Sequence, residues 1–378
     1  MNHFHTPPLI NPIIDIVAPM ESNTLNQKKI LICLDGFRHG GTQHAILLVL
    51  PFFCKNFKKV YLIVLQQNSD DLQIPAQPNL EVIKFDSTKL LDVNLVLELS
   101  RFFRGTKPNI ILASMFRSIV FTTLLKNVNS KVFWMEQNTY TMRTKFHWFV
   151  MRILAHKISK IICISEDVAK YTMGKISNSK KIVVIPNPIH TSVIKIENQV
   201  RKNDFIFVGR LVMQKNPSLA IESFATFLDT YKLDSCLHIV GDGELMESLK
   251  QRSVDLGISK NCVFHGFLPN PEVHKILVSS KTLISTSSIE GLAMVRLEAL
   301  VNGNCIVTTN SGGTEQFFQI DSDIGVFLAN SNYDFAKKMF LSTEDKYWSN
   351  SSIVHRRQIG LKFSPEKIFS LFLSEFKS

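Results

Sequence analysis

The 378-residue sequence has no apolar run long enough to cross a bilayer. Its longest uncharged apolar stretch near the start, 45–54, is about ten residues and is interrupted by Pro51, whereas a spanning helix needs about 20. The first 27 residues lack a basic region followed by a continuous apolar core, and they carry Pro7, Pro8, Pro12 and Pro19. That pattern excludes a secretory signal, and 1–27 is expected to be a poorly ordered leader. No CxxC pair occurs among the six cysteines, and no Cys/His group has zinc spacing. Several of those cysteines sit inside strand-like runs, as in ILICL and IICIS, so buried free thiols in a reducing cytosol are expected. Internal repeats and low-complexity segments are also missing. What remains, 45% hydrophobic and 20% charged residues, is the composition of a soluble globular chain with room for two cores.

The net charge of +11 is unevenly placed. Residues 1–188 hold 23 Lys/Arg against 12 Asp/Glu, while 189–378 hold 20 of each. The whole excess therefore belongs to the first half. Nucleic acid, an anionic membrane surface or an anionic acceptor would each answer to it, as would solubility alone.

Both halves alternate short apolar strands with amphipathic segments, the sign of a parallel sheet covered by helices. Strands are predicted at 29–34, 59–65, 80–85, 109–114, 131–135 and 160–165, followed by the run KIVVIPNPIH at 181–190. Helices are predicted at 44–57 and 117–127. Pro186 and Pro188 cannot sustain a ladder, which places a domain boundary there. Strands resume at 204–209, 237–241, 262–266, 281–286 and 304–309, and all five end in Gly or Ser/Thr. Ligands of open parallel sheets lie beyond the carboxyl ends of the strands, where small residues let backbone N–H groups approach a phosphate or sugar.

The richest stretch is 285–317, STSSIEGLAMVRLEALVNGNCIVTTNSGGTEQF. A strand ends in Ser/Thr, Glu290 and Gly291 follow, and a helix runs from Met294 to Val301 with Glu298 on it. Eight residues of helix would separate the two glutamates by roughly 12 Å, less if 290–293 is loop. A retaining glycosidase dyad needs about 5–5.5 Å, so these carboxylates suit two parts of one elongated ligand instead. The free N–H groups at the start of the helix favour a phosphate in the same place.

Glu290 and Glu298, with Gly291 between them and Gly303 beyond, resemble the two-glutamate signature of the retaining glycosyltransferase family four. Residues 205–217, FIFVGRLVMQKNP, resemble its Gly-Arg-Leu–Lys-Asn motif, and HIVGDGELMESL, VFHGFL, SGGTEQ and VIPNP match in order and spacing. The resemblance runs over about 28–375 and is stronger in the second half. It implies an α/β GT-B fold, two Rossmann-like domains facing each other across a cleft. The implied division is an acceptor-side domain at 28–187, a nucleotide-sugar domain at 188–360, and a helix at 361–378 crossing back to the first domain. It further implies that Arg210 and Lys215 clasp the donor diphosphate beside Gly209. Glu290 would hold the donor sugar with the N–H groups of Leu292 and Ala293, and Gly291 would also line the donor site. Glu298 would take the ribose, and Gly266 and Phe267 the base, although Phe267 fits a core position nearly as well. The expected activity is transfer from a UDP-sugar, with GDP-sugar next, to a glycan or lipid-linked acceptor in surface polysaccharide synthesis. It requires no metal or other cofactor and no nucleic acid. A sugar-nucleotide epimerase of the same fold and a basic module binding membrane or nucleic acid are the rival readings.

The first half departs from the family. Gly40 and Gly41 form the expected glycine loop, but Thr42 and Gln43 follow where Ala-Glu is common. Where relatives have His-Asn, the chain reads Glu136, Gln137, Asn138, so Gln137 and Asn138 are carried as acceptor-side candidates with Gly40 and Gly41. Asp321-Ser322-Asp323 has a metal-binding Asp-x-Asp form but lies in a polar stretch that reads as a surface turn. The segment Gly241-Asp242-Gly243 lacks the rest of a dinucleotide fingerprint. Finally, 141–160 interleaves Met142, Phe146, Phe149, Ile153 and Leu154 with Arg143, Lys145, Arg152 and Lys157. It is either a core helix with a basic edge or a face resting on an anionic bilayer, which would make the protein cytoplasmic and peripheral to the membrane.

Overall fold

A computed structural model describes residues 25–38, 40–69, 71–89, 92–137, 143–176, 181–191, 201–313 and 322–377. Most of the leader, 1–24, lies outside them, as do His39, Asn138, Met142 and Asp321. The chain divides into two units, Met1–Ile189 with Ser364–Ser378, and His190–Phe363.

The first unit runs β1 (Lys29–Gly36), α1 (Gly41–Asn56), β2 (Lys59–Gln66), β3 (Leu80–Lys84), α2 (Val93–Thr106), β4 (Ile110–Ser114), α3 (Phe116–Leu125), β5 (Lys131–Glu136), α4 (Lys145–Leu154), β6 (Lys160–Cys163), α5 (Glu166–Lys175) and β7 (Ile182–Val184). Its seven strands lie in the order β3-β2-β1-β4-β5-β6-β7, and every pairing is parallel. The inner strands β1, β2 and β4 are almost wholly buried, which is why they read as unbroken apolar runs rather than alternating ones.

The second unit runs β8 (Lys202–Val208), α6 (Pro217–Tyr231), β9 (Leu237–Val240), α7 (Met246–Asp255), β10 (Cys262–Gly266), α8 (Asn270–Ser279), β11 (Ser280–Ser285), α9 (Met294–Asn302), β12 (Cys305–Thr308), β13 (Val326–Leu328), α10 (Asn332–Leu341) and α11 (Asn350–Leu361). The strand order is β10-β9-β8-β11-β12-β13, again all parallel. Sequence periodicity missed β13, because three residues are too few to show a period. One face of this sheet is closed by Phe205, Phe207, Phe224, Phe227 and Phe335. Phe205 and Phe227 meet edge to face with centroids 4.9 Å apart, and Tyr231 stacks on Phe340 at 4.2 Å.

The last helix, α12 (Pro365–Lys377), belongs to the first unit. Phe369, Phe372 and Phe376 surround Phe53 of α1 at 5.2, 5.9 and 6.3 Å, and Phe376 meets Phe133 of β5 at 4.9 Å. Glu375 forms an ion pair with Lys160 at the start of β6. All six cysteines are free, and only Cys236 is not buried.

The least expected core residue is Arg356 on α11, which has no exposed surface. Its guanidinium donates to the carbonyls of Gly303 at 3.0 Å, Ile324 at 2.7 Å and Tyr347 at 2.7 Å. These carbonyls end or connect elements that have no ladder partner there, so one cation replaces three missing backbone donors. Arg356→Met should lower unfolding free energy by about 3 kcal/mol or more, because the side chain is kept apolar while three buried acceptors lose a charged donor. Urea denaturation measures this, and a change under about 1 kcal/mol would contradict the assignment.

Candidate functional site

The order of each sheet reverses at one place, between β1 and β4 in the first unit and between β8 and β11 in the second. A crevice opens beyond the strand ends at such a point, because successive crossovers leave to opposite faces. In the second unit the loops after β8 and β11 carry Gly209, Arg210 and Lys215 on one side and Glu290 and Gly291 on the other.

Lys215 ends a single 3-10 turn, Met213–Lys215, and its Nζ is hydrogen-bonded to Oε1 of Glu290. Glu290 is buried and Lys215 partly so. The Lys215 side chain lies over Gly209, so that a Cβ there would sit 3.7 Å from its Cγ and Cδ. Arg210 is exposed. The two loops are also tied by backbone: Ser288 N–H donates to the Gln214 carbonyl at 2.9 Å, and the Gln214 amide donates to the Ile289 carbonyl at 3.0 Å. Thr286 Oγ1 bonds the carbonyls of Lys215 and Asn216 at 3.0 and 2.7 Å.

Glycine lets further loops close on this pair. Gly241 has φ +133°, and a Cβ on it would fall 1.9 Å from the Gly209 carbonyl oxygen. Gly243 stands in the same relation to the Leu211 carbonyl, at 2.5 Å, and Gly313 to that of Gly291, at 2.5 Å. The segment Gly241-Asp242-Gly243 is therefore a packing surface for the loop after β8, a role that its resemblance to a partial dinucleotide fingerprint did not suggest. Gly241 N–H also donates to the Gly266 carbonyl at 2.8 Å, which brings the end of β10 into the same rim. Phe267 follows with 59% of its surface exposed, so the core-packing alternative for it is wrong.

Sequence reasoning also missed Arg296. This residue of α9 has no exposed surface; it donates to Ser285 Oγ at 2.9 Å and to Ser311 Oγ. The Ser311 carbonyl accepts from Glu290 N–H at 2.8 Å, so a buried cation fixes the loops after β11 and β12 beneath the acidic residue. Only burial reveals it, since an arginine on a helix reads as solvent-facing.

The loop 290–293 is not helical, and α9 begins at Met294 with no side-chain cap and no acid in its first turn. Leu292 and Ala293 are buried, and no described acceptor takes their N–H groups. Unpaired N–H groups at the start of a helix are the kind of group that takes an anion. One turn in, Glu298 is half-buried, and no described side chain bonds its carboxylate. Desolvation pushes this carboxyl from its ordinary 4.5 up to about 7.

In the first unit Gly40 and Gly41 open α1 after β1, again without a side-chain cap. Gln43, one of the residues that departs from the family, is buried and donates to the Gly36 carbonyl at 3.1 Å, tying the loop to its strand. Gln137 follows β5; its Oε1 accepts from Asn187 at 3.0 Å, while its Nε2 has no described acceptor. Asn138 lies outside the described residues. Glu136 is buried and paired with Arg143 at 2.8 Å. Asp35 caps α3, accepting from the N–H groups of Arg117 at 3.0 Å and Ser118 at 2.6 Å. Met115, between β4 and α3, holds φ +75°, an uncommon conformation for a side chain of its size.

Residues 191–347 match the family model described as Glycosyl transferases group 1. The matched residues all lie in the second unit. The chain is 26% identical over 345 residues to N-acetylgalactosamine-N,N'-diacetylbacillosaminyl-diphospho-undecaprenol 4-alpha-N-acetylgalactosaminyltransferase of Campylobacter jejuni, covering 84% of this chain and 91% of that one. It is 28% identical over 208 residues to UDP-Gal:alpha-D-GlcNAc-diphosphoundecaprenol alpha-1,3-galactosyltransferase of Escherichia coli, a match that spans 51% of each chain. Among solved structures, HepE of Anabaena in complex with UDP and glucose superposes with a TM-score of 0.76 at 15% identity, over 93% of this chain and all of that one. TarM gives 0.76 at 12% identity, over 95% and 100%. The fold is GT-B.

The raised Glu298 carboxyl makes a prediction that needs no ligand. Below pH 4.5 the group is protonated in folded and unfolded chains alike and has no effect. Between 4.5 and about 7 only the unfolded chain loses the proton, so stability falls as pH rises through that window. The full cost is at most about 3 kcal/mol, reduced by solvent on the exposed side of the group. Glu298→Gln should therefore match the parent near pH 4.5 and exceed it at pH 8 in urea midpoint. Equal midpoints at both pH values would show that the carboxylate is already well solvated.

Proposed function

We propose that the protein is a retaining glycosyltransferase that moves a sugar from a nucleotide diphosphate donor, UDP-sugar before GDP-sugar, to a lipid-linked or glycan acceptor in surface polysaccharide synthesis. The observation that carries this reading is the Lys215–Glu290 pair at the switch point of the second unit, set beside exposed Arg210 and the uncapped start of α9. The relatives supply the substrate classes. Two are named for diphospho-undecaprenol acceptors, one of them for UDP-galactose as donor, and HepE binds UDP-glucose in its structure.

In this reading the donor exchanges partners with the resting site. The diphosphate takes Lys215 from Glu290, with Arg210 and the N–H groups of Leu292 and Ala293 completing its coordination. Glu290, released, accepts hydrogen bonds from the sugar hydroxyls, and Glu298 accepts them from the ribose. As the anomeric C–O bond breaks, negative charge grows on the departing diphosphate. Cations fixed at that point stabilise the transition state more than the bound donor. The departing phosphate oxygen takes the proton of the acceptor hydroxyl as that hydroxyl bonds the same sugar face. No side-chain nucleophile is required. Two side-chain cations already neutralise the phosphates, so the reaction proceeds without a divalent metal.

Arg210→Ala and Lys215→Ala should each reduce turnover by a factor of about 100 or more, the scale of losing one transition-state donor. Full activity in both variants with a UDP-sugar would sink the donor assignment. Activity should also survive EDTA; a strict Mg²⁺ or Mn²⁺ requirement, abolished in Asp321→Ala, would move the chemistry to the Asp-x-Asp segment. UDP should raise the melting temperature more than GDP or ADP does, since a ligand at 100 times its Kd adds about 2.7 kcal/mol.

A further inference from the structure

The basic excess is narrower than a half-chain. Residues 101–188 contain 15 Lys/Arg and 3 Asp/Glu, whereas 1–100 contain 8 and 9. The segment 101–188 spans β4 to β7, and α4 stands in its middle. This helix buries Trp148, Met151 and Leu154 against its own unit, which accounts for its place in the fold. Its other side is not polar. Phe146 is 58% exposed, Phe149 59% and Ile153 52%. At about 100° per residue these three side chains fall within about 60° of one another, forming one apolar ridge along two turns. Exposed Lys145 and Arg152 border that ridge, and exposed His156 and Lys157 follow in the 3-10 turn that continues the helix.

Two residues of 141–160 do not belong to this face. Arg143 does not serve a surface role: it pairs with buried Glu136 at 2.8 Å and lies over the Trp148 ring at 5.8 Å. Leu154, grouped by spacing with the phenylalanines, is buried. The exposed set is therefore Phe146, Phe149 and Ile153 with Lys145, Arg152 and Lys157.

We infer that this face of α4 docks on an anionic lipid bilayer, with Phe146, Phe149 and Ile153 entering the boundary between headgroups and acyl chains and the cations meeting lipid phosphates. Aromatic and branched side chains gain most at that depth, and flanking cations add attraction that an acyl phase alone would not give. A nucleic acid would use the cations but leave the ridge in water. A second copy of the chain would cover the ridge but bring two basic segments together. The bilayer alone satisfies both features. The inference rests on the proposed function in one respect: docking places the acceptor-side unit where a lipid-linked acceptor resides.

Co-sedimentation of the full chain with vesicles of phosphatidylcholine and phosphatidylglycerol at low salt tests it. Binding should be strong with phosphatidylglycerol and weak with phosphatidylcholine alone. Phe146→Ser/Phe149→Ser/Ile153→Ser should reduce it at least tenfold, and Lys145→Gln/Lys157→Gln should weaken it about fivefold per charge removed. Both variants should keep the parent melting temperature and the parent thermal shift with UDP, because the substituted side chains are exposed and lie in the other unit. Undiminished vesicle binding by the triple Ser variant overturns the inference. So does a dimer in solution that the triple variant dissociates while vesicles bind neither protein, or retention on RNA that the triple Ser variant leaves intact. Failure of UDP to shift the parent protein would count against the donor site instead, and leaves the vesicle result to stand on its own.

Discussion

The site depends on one short contact, the approach of the Gly241 α-carbon to the Gly209 carbonyl. A Cβ at 241 would lie 1.9 Å from that oxygen, inside any permitted separation. The ends of β8 and β9 can therefore come together only with glycine at 241. The same device joins 243 to 211 and 313 to 291. Four loops meet backbone to backbone in these three contacts, and Lys215 and Glu290 are carried on two of them, after β8 and β11. Lys215 lies over Gly209 for the same reason, since the space above a residue without a side chain is filled by the aliphatic stem of the lysine.

Electrostatics is divided by depth. Arg296 and Arg356 are buried and spent on structure, one on the serines under Glu290 and the other on three backbone carbonyls. Arg210 is exposed, and Lys215 is held by a carboxylate that an anionic ligand can displace. Glu298 has the opposite problem, a carboxylate with too little solvation, which ligand hydroxyls would relieve. Under the proposed function a nucleotide-sugar would answer both features, its diphosphate the cations and its ribose hydroxyls the under-solvated acid.

The first unit is organised differently. Its sheet is framed by α12, whose phenylalanines close over α1 and β5, so the end of the chain is part of the core of its beginning. Its switch point carries the uncapped start of α1 and the strained Met115, and no buried cation comparable to Arg296 lies among the residues described there.

The sequence by itself determined the class of fold, because buried parallel strands must be nearly continuous apolar runs and eleven such runs before residue 310 stood out from the helices between them. It also placed Gly209, Arg210, Lys215, Glu290 and Glu298 at strand ends and a helix start, since each is fixed by an element close by in the chain. Tertiary structure decided what depends on distant partners. Gly241 and Gly243 acquired their meaning from a carbonyl about 30 residues away, a contact that no local pattern encodes. Arg143 and Arg296 look like surface charges until Glu136, Ser285 and Ser311 are brought beside them. For α4, spacing placed five apolar residues on one helix, but which of them face water was set by α3 and α5, which pack on the other side. Periodicity gives a helix two candidate faces, and only packing chooses which one is buried.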